Sequence, residues 1–310
     1  MLFFVTENTP QTRRLEIYQR TVREELRDRG IAYREISVTE GFDGERLGSK
    51  SNRQDIWFFA DINNPFFSRT STLSGEVLVS VHSPNHITER NIQLLKTCSK
   101  FFVDSSWSVK RICERYPVLG KKSVISGFPF SRFKLEDLDT VKTEEDLVIF
   151  NQHFCADRLH VLQVWLTQKL ADENYRIHHL CHKNSLKEIW HDREARVLLR
   201  EARKRGLQLV ICNDDKQYYD HLTRGAILTS TWIHGGLSVG ILEAAALGVT
   251  PLAPAYGPYL EYLPEQNLYS PYNLDHLMNK IYSPPPSPER LNLTNPATVV
   301  DTYIKAMEIS

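Results

Sequence analysis

The sequence predicts an α/β protein made of two doubly wound domains. Apolar strand-like runs alternate with amphipathic helical segments along the chain, and the alternation restarts after an acidic, non-periodic stretch at residues 135–146. A length of 310 residues suits two domains of about 150 residues each. The predicted division is a domain at 1–134, a linker at 135–146, a domain at 147–283, and a connector with a last helix at 284–310.

In the first half, short apolar or β-branched runs indicate strands, and apolar residues recurring every three to four positions indicate helices. The predicted strands are 2–5, 31–38, 56–60, 76–82, 101–103 and 122–126. The predicted helices are 15–26, 88–98 and 106–116. Gly30 is expected to end the first of these helices, because glycine accepts the backbone conformation that follows a helix.

The second half shows the same two patterns. The predicted strands are 147–150, 207–212, 226–230 and 249–251. The predicted helices are 159–170, 192–205, 214–224, 240–247 and 297–307, with Gly206 ending the second of them. Strands that alternate with helices in this way predict parallel sheets covered on both faces.

The composition excludes several classes of protein. Lys plus Arg and Asp plus Glu both number 38, so no overall basic excess marks a dedicated nucleic-acid clamp. No run approaches the roughly 18 apolar residues of a membrane span, and no signal peptide is visible. Five cysteines without a C-x-x-C pair predict reduced thiols in the cytoplasm. His178, His179 and His182 are expected to be surface or packing residues rather than metal ligands.

Residues 229–261 combine features of a ligand site. A predicted strand ends, a glycine-bearing loop follows, and a helix begins. Gly235 and Gly236 let backbone approach a ligand closely, and a helix N-terminus offers N–H groups to a phosphate. Glu243 lies in that helix, where its carboxylate can accept two hydroxyl hydrogen bonds, as a ribose diol would offer.

Two motifs resemble those of GT-B glycosyltransferases of the retaining, glycogen-synthase-like type. One comprises Thr229-Ser230-Thr231, His234, Leu242-Glu243-Ala244, Gly248, Thr250-Pro251-Leu252, Pro254 and Tyr259-Leu260-Glu261. The other is Phe150-Asn151-Gln152-His153-Phe154-Cys155-Ala156-Asp157-Arg158. Both are most similar to the tRNA-queuosine mannosyltransferase group, across roughly residues 147–282. The resemblance implies two Rossmann-like domains facing a central cleft, with the C-terminal helix returning to the first domain.

The resemblance also assigns roles to residues. Glu243 would hold the ribose of the donor nucleotide, Arg158 would pair with the diphosphate, and His234 would contact the donor sugar or phosphate. Arg158 is always charged and can bind phosphate oxygens bidentately. The whole predicted donor site comprises Asn151, His153, Arg158, His234, Gly235, Gly236, Leu237, Ser238 and Glu243.

Two positions depart from the family's pattern. Gly235 stands where a carboxylate usually contacts the donor hexose, which indicates a different sugar such as a pentose, a substitute ligand from elsewhere, or reduced activity. His153 stands where the family has arginine, and a neutral imidazole is a poorer partner for phosphate.

The first domain supplies three further candidates. His82 ends the predicted strand 76–82, near a point where similar enzymes often have a histidine, and it either contacts the donor sugar or the acceptor or caps the next helix. The first alternative makes it a predicted catalytic residue together with Arg158 and His234. Arg13 and Asn85 are the predicted acceptor-binding residues, since acceptors normally dock on this domain in the family.

The resemblance implies a reaction that moves a hexosyl or pentosyl group from a UDP- or GDP-sugar to a hydroxyl acceptor, with retention and without a bound metal. Residues 1–134 hold 21 Lys and Arg against 15 Asp and Glu, which favours a polyanionic acceptor such as a hydroxylated base in DNA or tRNA. The alternatives are transfer to a glycan, lipid or small molecule, and a non-catalytic nucleotide-sugar-binding relative. A cytoplasmic monomer that does not bind membranes is expected.

Overall fold

The computed structural model describes residues 1–7, 13–38, 52–64, 67, 73–82, 84–130, 143–151, 160–231, 236–288 and 295–307. The chain divides into two units. Unit 1 comprises Met1–Ser131, Gly235–Leu237 and Leu293–Ser310, and unit 2 comprises Arg132–His234 and Ser238–Asn292.

The described elements alternate along the chain as the sequence predicts. The strands are β1 (Leu2–Glu7), β2 (Tyr33–Val38), β3 (Ile56–Phe59), β4 (Glu76–Val81), β5 (Lys100–Val103), β6 (Ser123–Ile125), β7 (Glu144–Phe150), β8 (Arg176–His182), β9 (Leu207–Cys212), β10 (Gly225–Thr229), β11 (Thr250–Pro254) and β12 (Leu268–Tyr269). The helices are α1 (Arg13–Asp28), α2 (Glu89–Thr97), α3 (Ser106–Arg115), α4 (His160–Asp172), α5 (Lys183–His191), α6 (Arg193–Lys204), α7 (Asp215–Arg224), α8 (Val239–Ala246), α9 (Tyr259–Tyr262), α10 (Leu274–Tyr282) and α11 (Pro296–Ala306).

Unit 1 is built on a parallel sheet in the order β2-β1-β3-β4-β5-β6. Strand β2 lies on one side of β1, and β3 and the later strands lie on the other side. The order of the strands thus reverses between β1 and β3, and open α/β sheets form a ligand crevice at such a point. The interior strands are almost wholly apolar, because a parallel sheet is covered on both faces. Phe58, Phe101 and Phe102, for example, are each at most 1% exposed.

Helix α11, at the end of the chain, packs on unit 1. The Tyr303 ring lies 4.5 Å from the Phe102 ring and 4.9 Å from the Phe58 ring, between centroids. The Tyr18 hydroxyl on α1 donates to the Tyr303 hydroxyl at 2.7 Å. The expectation that the C-terminal helix returns to the first domain is confirmed.

Unit 2 contains a second parallel sheet, in the order β12-β11-β10-β7-β8-β9. Numbered from β7, this is the 3-2-1-4-5-6 order of Rossmann folds. Its core lies between the sheet and the flanking helices, where Val148, Phe150, Leu166, Leu199 and Leu277 are buried together. The α/β, doubly wound class predicted from the sequence is therefore confirmed in both units.

Strand β8 was not assigned from the sequence, because three histidines interrupt its apolar pattern. His178 and His179 are buried within the sheet, and Gln163 on α4 hydrogen-bonds the His179 ring at 2.9 Å. Burial lowers the pKa of His178, and the nearby Arg224 and Arg176 lower it further. The packing interpretation of these two histidines is confirmed.

Other differences also follow from polar residues inside elements. Strand β7 begins at Glu144, before the predicted start at Leu147, because its acidic residues are paired. The Glu144 carboxylate lies 2.7 Å from Arg224, and Arg176 contacts Asp146 at 2.7 Å. These arginines lower the pKa of both carboxyl groups. No prediction was made for α5, β12 or α10, and residues 135–142 of the predicted linker lie outside the described residues.

The helix ends follow local side-chain chemistry. The Asp192 carboxylate accepts from the N–H groups of Glu194 and Ala195 at the start of α6, and Asp214 accepts from the Gln217 N–H at the start of α7. Gly30 and Gly206 follow α1 and α6 with φ of 65° and 105°. A side chain would strain both positions, so these two predicted helix stops are confirmed.

Two further findings hold for the described ranges. No helix there is long and apolar enough to span a membrane. None of the four cysteines in that part of the chain, Cys98, Cys113, Cys181 and Cys212, forms a disulfide.

Replacing Tyr303 with alanine should destabilise unit 1 by about 3–5 kcal/mol, because it removes a large ring from a packed core. Tyr303 is 1% exposed, whereas Tyr282 in unit 2 is 44% exposed and serves as the matched control. Tyr282→Ala should change stability by less than about 0.5 kcal/mol. Urea unfolding of both variants measures the difference, and equal effects would show that α11 does not belong to this core.

Candidate functional site

The strand order of unit 2 places a ligand crevice beside β7 and β10, which are the first and fourth strands of its sheet. The two strands pair directly, with Ile227 opposite Val148 and Leu228 opposite Ile149. Asn151 follows β7, and helix α8, which carries Glu243, follows the segment after β10. Two predicted donor residues from distant motifs thus belong to one edge of one sheet.

The Glu243 carboxylate is held by two tyrosine hydroxyls. The Tyr218 hydroxyl donates to Oε2 at 3.0 Å, and the Tyr219 hydroxyl donates to Oε1 at 2.9 Å. Glu243 is 0% exposed, and both tyrosines are buried. A carboxylate removed from water needs such donors, since burial without hydrogen bonds costs several kcal/mol. The carboxylate therefore has a defined orientation.

Asn151 extends this network toward β7. Its Nδ2 donates to the Tyr218 hydroxyl at 2.7 Å, so one phenol joins the amide to the carboxylate. Its buried Oδ1 has no hydrogen-bond partner among the described residues. Gly240 makes room for this amide, because a Cβ at Gly240 would lie 1.9 Å from Asn151 Nδ2.

Sequence reasoning missed Tyr218 and Tyr219. They lie in α7, directly after β9, at the same edge of the sheet as Glu243. Their position after a strand end was the available signal, because ligands of parallel sheets bind at the carboxyl ends of strands.

Three predicted loop residues are described. Ser238 is the N-cap residue of α8, Leu237 is buried, and Gly236 precedes them. The remaining predicted donor residues, His153, Arg158, His234 and Gly235, lie outside the described residues. The contacts predicted for the diphosphate and the donor sugar therefore stay predictions.

His82 lies at the carboxyl end of β4 in unit 1 and is 6% exposed. Its Nε2 hydrogen-bonds the Ala60 carbonyl at 2.8 Å, so this nitrogen carries the proton and Nδ1 is the acceptor of the neutral ring. The ring stands edge-on to Tyr18 at 4.4 Å. Helix α2 is capped by Thr88, whose N–H donates to Asn91 Oδ1 at 2.7 Å. The alternative that His82 caps this helix is wrong.

Arg14 organises the neighbouring part of unit 1. Its guanidinium forms an ion pair with the buried Asp104, donates to the Leu237 carbonyl at 3.0 Å, and lies over the Phe128 ring. Gly236 packs so closely that a Cβ there would lie 2.5 Å from both Arg14 Nη1 and the His82 carbonyl. Backbone of the glycine-bearing segment thus contacts an arginine that the sequence analysis did not single out.

Asp61, like Arg14, is a residue of unit 1 that the sequence analysis missed. It follows β3 at the ligand-binding edge of the sheet and is 7% exposed. Burial raises its pKa to about 6, and nearby Glu7 adds to the increase, while the Asn63 N–H and Arg14 oppose it. Its position directly after a strand was the signal that could have identified it.

The predicted acceptor residues are placed only in part. Arg13 begins α1, and its side chain is outside the described part of the structure. Asn85 is exposed in a short 3-10 turn at Pro84–His86. No group of three or more His, Cys, Asp or Glu side chains in the described ranges could hold a metal ion.

The two Rossmann-like units are those of the GT-B fold, and comparison with solved structures supports this assignment. The sequence matches no protein-family profile and no curated protein. The structure is similar to that of a UDP-forming α,α-trehalose-phosphate synthase from Burkholderia xenovorans, with a TM-score of 0.70 and 10% identity over 99% of this chain and 98% of that one. The prediction of two Rossmann-like domains with the GT-B fold is confirmed.

Two further neighbours have the same fold. Anabaena HepE, in complex with UDP and glucose, has a TM-score of 0.63 and 11% identity over 99% of this chain and 94% of that one. S. aureus TarM, in complex with UDP, has a TM-score of 0.59 and 12% identity over 84% of this chain. The chain spans about half of TarM, 52% of its length. The link to tRNA-queuosine mannosyltransferases and the retaining mechanism stay predictions.

Changing Gly240 to alanine should displace the Asn151 amide from the Tyr218 hydroxyl and destabilise unit 2 by about 1–3 kcal/mol, because the new methyl group overlaps the amide. The double variant Gly240→Ala/Asn151→Gly removes the overlapping atoms, so it should be no less stable than Asn151→Gly alone. Urea unfolding of the three variants measures this coupling. If the stability losses of Gly240→Ala and Asn151→Gly simply add in the double variant, the close approach of Gly240 to the Asn151 amide is contradicted.

Unit 1 should lose stability as the pH rises from about 4 to about 6. The pKa of Asp61 is about 6 when folded and ordinarily 3.8, so the folded state holds its proton in this range while the unfolded state releases it. The loss amounts to about 3 kcal/mol and is complete above the folded pKa. Asp61→Asn should therefore be more stable than the parent at pH 8 and similar at pH 4.

The control for this experiment is Asp28→Asn, which changes an exposed carboxyl group at the end of α1. Chemical unfolding at a series of pH values measures how the free energy of unfolding changes with pH in all three proteins. If Asp61→Asn loses as much stability with rising pH as the parent does, other groups cause the loss.

Proposed function

We propose that this protein is a nucleotide-sugar-dependent glycosyltransferase whose donor nucleotide binds at the carboxyl edge of the unit 2 sheet. The observation that carries the proposal is the buried Glu243 carboxylate, oriented by Tyr218 and Tyr219 beside the first and fourth strands of a Rossmann-order sheet. Neighbours with the same fold bind UDP, as the complexes of HepE and TarM do. The donor is accordingly a UDP-sugar, with a GDP-sugar as the alternative.

Each part of the donor has a proposed partner. Glu243 accepts hydrogen bonds from the ribose diol, and the buried Asn151 Oδ1 supplies a further acceptor beside it. The N-terminal N–H groups of α8 face the diphosphate, which the helix dipole favours. Arg158, His153 and His234 complete the phosphate and sugar contacts, as the motif resemblance implies.

The reaction breaks the bond between the sugar C1 and the diphosphate oxygen, and the leaving nucleoside diphosphate keeps the electron pair. The acceptor hydroxyl oxygen bonds to C1, and its proton passes to the oxygen of the departing diphosphate. Arg158 and the α8 N–H groups stabilise the departing negative charge, which is the largest demand that this step makes of a protein. We propose that the configuration at C1 is retained and that no protein nucleophile takes part. We also propose that His82 contacts the donor sugar.

The acceptor proposed from the sequence is a hydroxylated base in DNA or tRNA, supported by the basic excess of residues 1–134. A second candidate is a glycan or another neutral polyhydroxylated acceptor. It is favoured by the buried carboxyl groups Glu7 and Asp61 near strand ends of unit 1, which suit hydroxyl donors better than phosphodiesters. Cytoplasmic localisation and a monomeric state stay predictions.

Glu243→Ala should abolish the stabilisation that UDP gives the parent protein. A ligand at 100 times its dissociation constant adds about 2.7 kcal/mol of stability, which a thermal-shift measurement resolves. Glu265→Ala is the control, since Glu265 is an exposed carboxylate of the same unit. GDP and ADP in parallel identify the base. No shift of the parent with any of the three nucleotides would overturn the proposal.

A transfer assay then separates the enzyme from a non-catalytic relative. The parent is incubated with UDP- and GDP-hexoses and pentoses and with four acceptors: hydroxymethylated DNA, queuosine-containing tRNA, a neutral oligosaccharide and a lipid. Mass spectrometry should show a sugar adduct on one acceptor that Glu243→Ala does not form. Nucleotide binding without transfer or donor hydrolysis would indicate the non-catalytic alternative.

A further inference from the structure

Unit 2 has a shallow surface depression of about 460 Å³, and none of the residues assigned to the donor is among its described lining. It is lined by Trp165, Pro271, Tyr272, Asn273, Leu274 and Asp275. Trp165 lies on α4, and the other residues form the turn before α10 and its first positions. Neither the sequence motifs nor the proposed reaction uses this place.

Two large aromatic side chains border the depression and remain exposed to water. Trp165 is 38% exposed and Tyr272 is 61% exposed. Lys169, one turn further along α4, places its Nζ 5.7 Å from the centre of the Trp165 ring system. Exposed aromatic groups gathered in a concave site are typical of ligand contact, because their rings offer a broad apolar surface.

The turn that carries Tyr272 is held in one conformation. Tyr272 has a φ of 61°, which is uncommon for a residue with a bulky side chain. The next residue, Asn273, closes the turn with two hydrogen bonds. Its N–H donates to the Ser270 carbonyl at 3.0 Å, and its Oδ1 accepts from the His276 N–H at 2.9 Å. The Ser270 N–H donates to His276 Nδ1 at 3.1 Å. Such strain persists only where the surroundings enforce it, and it concentrates at ligand sites.

The polar part of the lining is neutral or acidic. Asn273 keeps its Nδ2 donors for a ligand, since Oδ1 caps α10, and Asp275 forms no ion pair with a described residue. None of the described residues that line the depression is a lysine or an arginine. This chemistry suits hydroxyl groups, which donate to a carboxylate and accept from an amide, better than the phosphates of a polyanion.

We infer that this depression is a carbohydrate-binding site, separate from the donor site, for a pyranose ring of a neutral oligosaccharide. The C–H face of the ring packs on Trp165 and Tyr272. The ring hydroxyls donate to Asp275 and accept from Asn273. This inference does not depend on the proposed transferase activity.

Calorimetric titration with maltoheptaose, cellopentaose and chitotetraose tests the site. At least one of these neutral oligosaccharides should bind the parent protein. Trp165→Ala and Tyr272→Ala should each weaken that binding by about tenfold, because each removes one stacking surface. The matched controls are Trp190→Ala and Tyr282→Ala, which remove aromatic side chains that are 56% and 44% exposed elsewhere in unit 2.

Each other outcome overturns the inference. It fails if none of the three oligosaccharides binds the folded parent, or if the controls weaken binding as much as the site variants. Binding of oligothymidylate alone, lost in Trp165→Ala, would instead identify a site that stacks nucleobases. Self-association that Trp165→Ala abolishes would identify an interface between copies of the chain. The UDP thermal shift of Trp165→Ala should equal that of the parent, which separates this test from that of the donor site.

Discussion

A parallel pair of strands cannot be joined by a tight turn, and every strand pair described in the two sheets is parallel. Each connection must cross over the sheet, which covers both faces with helices and buries the strands. The same constraint brings all carboxyl ends of a sheet to one edge. Asn151 in unit 2 and His82 and Asp104 in unit 1 therefore stand at such edges, because each follows a strand directly, and Asp61 stands there one residue further on.

The edge of each sheet accommodates a buried carboxyl group, and the two units do so differently. Glu243 in unit 2 is held by two hydroxyl donors, and its helix has no side chain at Gly240, where Asn151 reaches the network. Asp61 in unit 1 is buried, which raises its pKa, and nearby Glu7 adds to the increase, while the hydrogen bonds from Asn63 oppose it. The first arrangement orients an acceptor of hydrogen bonds, and the second retains a proton up to a pH of about 6.

Arg14 shows how one cation can serve several parts of a unit. Its guanidinium neutralises the buried Asp104, which also accepts from the Ser105 and Ser108 hydroxyls. The same group donates to the Leu237 carbonyl, so the position of this backbone depends on a residue more than 200 positions earlier. Arginine suits this role because its planar fork can hold two partners at once while its face lies on an aromatic ring.

The sequence by itself determined the α/β class, most strands and helices, and the placement of Asn151 and Glu243 at a sheet edge, because periodicity and strand–helix order are local properties. It did not reveal β8, since the burial of His178 and His179, and the contact of Gln163 with His179, exist only inside the folded core. Only the tertiary structure decided which groups hold Glu243. Tyr218 and Tyr219 are 25 and 24 residues away along the chain, and no local pattern encodes contacts that crossover connections create. The same reason applies to Arg14 and Leu237, whose contact exists only because unit 1 includes a segment from late in the chain.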